Sequence, residues 1–261
     1  MRLRWRPELW LELRARGCQA RLMGPGWTQR GLAAASSSGR GAPALSAALA
    51  ALQLADVVLP PGRVRLQIAD EYLLHLLLHH GGPLQAVQRL ARQRFDDILG
   101  PGPRHLIVQA LTPQRWLASA IEAADLAAWC GVLDQAGLRP GRITPGLHEE
   151  WQQVGRHVRD PDAVLVLPRD EGATLLRLID GEPVDLSWER LDSDDPGALE
   201  RRVRAFARLP QGAARRPAWA LSDGDLRPHR PHAAPAAAQA IYLLPESGTL
   251  CRYVIDRSSE A

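Results

Sequence analysis

Lysine is absent from this sequence: all 32 basic side chains are arginine. A Walker lysine, a Schiff-base lysine and a Ser-x-x-Lys pair are therefore excluded. Cysteine is scarce. Cys18, Cys130 and Cys251 lie far apart with no Cys-x-x-Cys or other zinc spacing, and a reducing cytoplasm fits that usage. No Gly-x-Ser-x-Gly occurs, so there is no nucleophile elbow. The basic start MRLRWRPELW has no apolar core and reads as lacking a signal peptide. The longest low-charge run, GAPALSAALAALQLADVVLPP, contains Asp56 and is bracketed by Pro43 and Pro60. A spanning helix needs about 20 apolar residues, so this run reads as a soluble Ala/Leu helix followed by a strand or loop. The net charge is only +3 and the arginines are interleaved with acids. Nucleic-acid binding needs a clustered basic face, which is not encoded.

What is present is the pattern of a mixed α/β protein. ELWLELRARG, QARLMG and WTQRGLAAAS read as three strands separated by Gly-containing turns. APALSAALAALQLA follows as a helix with Leu45, Leu49, Leu52 and Ala55 on one face. In VRLQIADEYLLHLLLHH, Val64, Leu66 and Ile68 alternate with Arg65 and Gln67, a half-buried strand. Asp70-Glu71 supplies a turn. YLLHLLLHH is short and ends at Gly81-Gly82, which predicts an internal sheet strand with its last histidines at solvent. A helix would put His75 and His79 at metal-ligand spacing. However, Leu76, Leu77 and Leu78 fill the gap where a His-Glu-x-x-His site needs its Glu.

PLQAVQRLARQRFDDILG is a helix with Pro83 in its first turn, Gly100 as its cap and an apolar stripe through Val87 and Phe95. HLIVQAL and RWLASAIE form a hairpin about Thr112–Gln114. DLAAWCGVLDQAG is a helix with Trp129 and Leu133 inward, and LRPGRI a short strand. TPGLHEEWQQVGRH is a helix with Thr144 as N-cap and Leu147, Trp151 and Val154 as its stripe; His148 is expected on its exposed side. The segment VRDPD marks a boundary. Beyond it AVLVLPR, ATLLRLIDG and EPVDLSWERL make a second meander, followed by the helix PGALERRVRAFARL and the strand AWALSDG. LRPHRPHAAPAAAQA is irregular at its start, and AIYLLPESGTLCRYVID adds two edge strands. The order β-β-β-α-β thus heads each half, which is a weak internal repeat. Trp116, Trp129 and Trp151 fall on apolar faces and are expected in the core; Trp5, Trp10 and Trp27 are candidates for a partner surface.

From Val64 to Leu191, the order of these elements and phrases such as AGLRPGRITPGL resemble the actin-like cytoplasmic platform proteins of type IV pili and type II secretion systems, the PilM-like and GspL-like proteins. The resemblance implies an actin-like fold, a duplicated RNase H-like α/β architecture of two lobes. The first is expected at residues 1–157 and a second, reduced lobe at residues 158–261. With this chain's departures from the family's phosphate motifs, it points to a non-catalytic cytoplasmic scaffold with a coupling role, peripheral at the inner membrane through its partners. Those partners would be the cytoplasmic peptide of a membrane-anchored platform protein and the assembly ATPase.

In that superfamily each lobe opens on an Asp-x-Gly hairpin. Glycine lets backbone N–H groups approach phosphate, and the Asp holds Mg²⁺ or water. This chain has Arg14-Ala15-Arg16-Gly17 in the first hairpin. In the second, Asp170, Gly172 and Thr174 imitate the motif, but the apolar run ends at Pro168, where the motif's Asp belongs. No cofactor and no metal are expected. The alternative is an active protein binding ATP with Mg²⁺ through Asp170, Glu171, Gly172 and Thr174, and a third reading is a structural α/β protein unrelated to pili.

Overall fold

The computed structural model describes residues 7–24, 30–55, 62–191, 195, 197–208, 239–245 and 248–255. The expected strand AWALSDG, the start of the Pro/Ala-rich segment, Trp5 and Trp27 lie outside them. The strands are β1 (Glu8–Arg14), β2 (Gly17–Met23), β3 (Gly31–Ser38), β4 (Gly62–Ile68), β5 (Leu74–His79), β6 (Arg104–Ala110), β7 (Arg115–Glu122), β8 (Leu138–Pro145), β9 (Asp162–Arg169), β10 (Gly172–Ile179), β11 (Glu182–Arg190), β12 (Gln239–Leu243) and β13 (Cys251–Ile255). The helices are α1 (Gly41–Leu54), α2 (Leu84–Leu99), α3 (Ala123–Gln135), α4 (Gly146–Val154) and α5 (Ala198–Arg208).

Two compact units are formed. One contains residues 1–75, 82–109 and 118–149; the other contains residues 76–81, 110–117 and 150–261. In the first, the sheet order is β3-β2-β1-β4-β8. β1 to β3 form an antiparallel meander, and β4 and β8 run parallel to β1. Period-2 alternation puts Leu9, Leu11, Leu13, Val64, Leu66 and Ile68 on one face. There Leu45, Leu49 and Leu52 of α1 and Trp129 and Leu133 of α3 complete the core. Each such aliphatic side chain contributes about 1.5–3 kcal/mol on burial.

The second unit repeats the order as β11-β10-β9-β12-β13. β9 to β11 are again an antiparallel meander, and β12 runs parallel to β9. The fifth strand differs. β13 is antiparallel to β12, a hairpin, where β8 in the first unit is parallel and reached through α3. Val203, Phe206 and Ala207 of α5 cover Val164, Val166, Ala173, Leu175 and Ile241. The runs Ala163–Leu167 and Gly172–Leu178 are buried on both faces and therefore read as continuous apolar stretches. Arg177, 1% exposed, lies inside that run and pairs with Asp162 at 3.4 Å.

Three expectations change. β5 is an edge strand of the three-stranded sheet β5-β7-β6, not an internal one. β12 lies inside its sheet, between β9 and β13, and is not an edge. α4 begins at Gly146, because β8 continues through Thr144 and Pro145 beside Gln67 and Ile68.

Candidate functional site

The positions that would carry phosphate chemistry are the first hairpin of each sheet. In the first unit Arg14 pairs with Gly17 and the turn is Ala15-Arg16. Ala15 is buried and Arg16 exposed. The Arg16 carbonyl accepts the Gly39 N–H at 3.1 Å. A side chain at Gly17 would bring its Cβ well inside 3.0 Å of the Ser37 carbonyl oxygen on β3. The glycine therefore makes room for the third strand. No carboxylate stands at this turn; Glu12, two residues before the end of β1, is engaged by Arg14 at 2.7 Å.

In the second unit Arg169 pairs with Gly172 across the turn Asp170-Glu171. The Glu171 carbonyl accepts the Leu191 N–H at 3.0 Å, and the Gly172 position is closed by the Glu189 carbonyl of β11. Asp170 is partly exposed at the turn. Thr174 is fully buried on β10, between Leu167 and Trp188. Gly172 and Thr174 share a strand face, while Asp170 stands apart at the tip. Pro168 lies within β9, which runs on to Arg169.

A buried polar node lies close in the first unit. After β4 the chain makes a short 3-10 turn, Asp70–Tyr72. The Asp70 carboxylate Oδ1 contacts His75 Nε2 at 3.2 Å and accepts the Leu147 N–H at 3.3 Å. His75 Nδ1 meets Ser119 Oγ at 2.9 Å. Asp70, not Thr144, thus satisfies an N-terminal amide of α4, whose positive dipole end suits a carboxylate. The Thr144 hydroxyl is buried with no hydrogen-bond partner. Tyr72 extends the node: its hydroxyl donates to the Arg14 carbonyl at 3.1 Å and accepts the Gly41 N–H at 2.8 Å. Its ring meets Trp129 edge-on, with centroids 5.3 Å apart. Sequence reasoning missed Asp70 and Tyr72 as organisers. The signal was an acid and an aromatic directly after a strand, which is not distinctive.

On the sheet face opposite α1 and α3, Arg65 stacks on Trp10 at 4.6 Å and pairs with Glu149. The Trp10 N–H donates to Glu8 at 2.8 Å. Trp10 is half-buried, so it is neither core nor a freely exposed anchor. His148 is 7% exposed, contrary to its expected place on the outer side of α4. Trp129 and Trp151 are buried; Trp116 is half-buried and donates to the His80 carbonyl at 2.9 Å. Among the described residues, no three His, Cys, Asp or Glu side chains are grouped to hold a metal ion, and no helix is long and apolar enough to cross a membrane.

No family model and no curated protein matches the sequence. Solved structures do. A chain of the PilM-PilN type IV pilus biogenesis complex is 18% identical with a TM-score of 0.54, covering 76% of this chain and 65% of its own length. This protein therefore spans about two thirds of that chain. A Bacteroides thetaiotaomicron protein with an actin-like ATPase fold and unknown function is 11% identical with a TM-score of 0.54, covering 77% of this chain and 74% of its own. The cytoplasmic domain of EpsL, an inner-membrane component of the Vibrio cholerae type II secretion system, aligns at 14% identity and a TM-score of 0.45, over 70% and 71%. With the repeated five-strand order, the first two likenesses establish an α/β, actin-like fold in two units, the second closing on a hairpin where the first has a helical crossover.

Proposed function

We propose that this protein is a non-catalytic scaffold of a type IV pilus or type II secretion inner-membrane platform. It works at the cytoplasmic face, holds the cytoplasmic tail of a membrane-anchored partner and communicates with the assembly ATPase. Residues 1–157 serve as the first lobe and residues 158–261 as the second. The observation that carries the non-catalytic half is the first hairpin. Its turn is Ala15-Arg16, with no carboxylate to hold Mg²⁺ or water, and the space at Gly17 is already taken by the Ser37 carbonyl. The fold likeness to a chain of the PilM-PilN complex supports the choice of machine.

Two measurements test the reading. The first is a thermal scan with and without millimolar MgATP. A ligand at a hundred times its dissociation constant adds about 2.7 kcal/mol, roughly 5–10 °C for a chain of this size. The expected result is no rise. A rise that disappears in Asp170→Ala overturns the non-catalytic reading in favour of ATP held by Asp170, Gly172 and Thr174. The second is fractionation of the native cell. The protein is expected with the inner membrane, and in the soluble fraction once the platform's membrane proteins are deleted. Unchanged partition after that deletion removes the pilus or secretion assignment.

A further inference from the structure

From Gly31 to Leu54 the sequence contains a single charged residue, Arg40, although charged residues make up 23% of the chain. Arg40 lies over the Tyr72 ring. The segment is β3 followed by α1, and most of it is surface. Among the described residues β3 is the terminal strand of its sheet and pairs with β2 alone. Leu32 is 56% exposed, and Ala34, Ser36 and Ser38 are exposed on the same face. α1 lies over β3 and β2. Its outward side is Pro43, Ser46, Ala47, Ala50, Gln53 and Leu54, the last 87% exposed.

An open strand edge presents a row of unpaired N–H and C=O groups. Soluble proteins ordinarily blunt it with lysine, proline, inward charges or a bulge. β3 carries no charge and no proline. Its one register irregularity lies at Leu22/Met23, opposite the Gly31 end, which leaves Ala33 to Ser38 regular. The adjoining helix face is uncharged too, and its alanines and serine allow close approach.

We infer that this surface joins two copies of the chain. β3 pairs antiparallel with β3 of a second copy across a two-fold axis, so that one sheet continues through both, and the two α1 helices lie side by side above it. Antiparallel pairing about a two-fold axis is self-complementary. An uncharged edge supplies no sign by which to select a charged foreign strand, and none that would repel its own copy. The dimensions fit a modest dimer. A strand about 27 Å long beside a helix about 21 Å long covers roughly 600–800 Å² per copy, near the lower limit of a standard interface. This inference is independent of the scaffold reading.

Sedimentation velocity of the full chain, from low micromolar to sub-millimolar concentration, tests it. The expected result is a monomer–dimer equilibrium with a dissociation constant in the micromolar range. Ala34→Lys places two ammonium groups face to face across the axis and should weaken it by about tenfold or more; Leu54→Glu acts from the helix side. Both are surface changes, and an unchanged melting temperature of the dilute monomer confirms folding. As a second readout, amide exchange in β3 should slow as concentration rises. A monomer at every concentration overturns the proposal. So does a dimer whose constant neither variant moves. A chain that stays monomeric but loses a platform partner through Ala34→Lys would assign the surface to that partner instead, and also overturns it.

Discussion

Gly172 holds in the second sheet the place that Gly17 holds in the first. Each opens the second strand of its meander and pairs with the last residue of the third, Gly17 with Ser38 and Gly172 with Arg190. Each is closed over by the carbonyl one residue earlier, Ser37 or Glu189. In each hairpin the preceding carbonyl, Arg16 or Glu171, accepts the N–H just beyond the third strand, from Gly39 or Leu191. The duplication therefore extends to individual hydrogen bonds. The glycine that a phosphate loop would use is needed here to let the third strand cross.

Gly17→Ala and Gly172→Ala should both destabilise, because a methyl group has no space against a backbone carbonyl. Overpacking of this kind costs about 1–3 kcal/mol, a fall of several degrees in Tm. Gly131→Ala is the control. Gly131 lies inside α3 with nothing within 4 Å of an added Cβ. It should stabilise by about 0.5–1 kcal/mol through helix propensity. Thermal unfolding of the three variants decides it; equal effects at all three sites would remove the close-approach account.

The cap of α4 makes a second contrast. The Thr144 hydroxyl is buried and unpartnered, and such a group costs about 1–3 kcal/mol. Thr144→Val should therefore raise stability by about 0.5–1 kcal/mol or leave it unchanged. Asp70→Ala removes the acceptor for the Leu147 N–H and the partner of His75. It should cost about 2–3 kcal/mol. Urea unfolding midpoints check both. A large loss from Thr144→Val would mean the hydroxyl is in use.

That contrast also shows where the sequence stops being informative. Thr144-Pro145 before an apolar stripe is a good local N-cap signal. It yields because β8 continues to Pro145 and because an aspartate 77 positions earlier in the chain reaches the same amide. Local alternation was sufficient for Leu9-Leu11-Leu13 and Val64-Leu66-Ile68, where each strand has one buried face. It was not sufficient for Leu74–His79. That apolar run resembles a central strand, yet it lies at an edge, where His75 is satisfied by Asp70 and Ser119 and Leu78 is buried. Strand order depends on pairing between distant segments, and so does the use made of Gly17. The hairpin positions themselves were legible; the Ser37 carbonyl over one of them was not.

The cysteines should divide by environment. Burial, with the Glu12 charge adding to it, pushes the Cys18 thiol up to about 12. The thiolate is the reactive species, so Cys18 should be silent to a thiol-exchange reagent at pH 8 in the native protein. Cys130 is shifted in the same direction, by burial and then by Asp134, but it is only half-buried, as is Cys251. Native titration should therefore release no more than two equivalents, with the third appearing only in denaturant. Mass mapping that finds Cys18 among the labelled sites would place β2 differently.

The last prediction concerns acid stability. Asp160 binds the Arg252 guanidinium through two nitrogens, one at 2.8 Å, and accepts the Tyr242 hydroxyl. It thereby ties both strands of the β12–β13 hairpin to the entry of β9. The Arg252 hydrogen bonds hold its carboxyl below the usual carboxylate range, against the opposing effect of burial, with Tyr242 helping. A depressed carboxylate contributes stability that is fully present above the unfolded-state value of about 3.9. That contribution is lost as pH falls through the lower folded-state value. Asp160→Asn keeps the shape and removes the charge, and should cost about 1.5–2 kcal/mol at neutral pH. The gap between wild type and variant should stay constant from about pH 7 to about pH 5 and close below about pH 4. Urea unfolding across that range is the measurement. The absence of a gap at any pH would show that the hairpin is held by packing alone, and a gap that widens in acid would reverse the sign of the linkage.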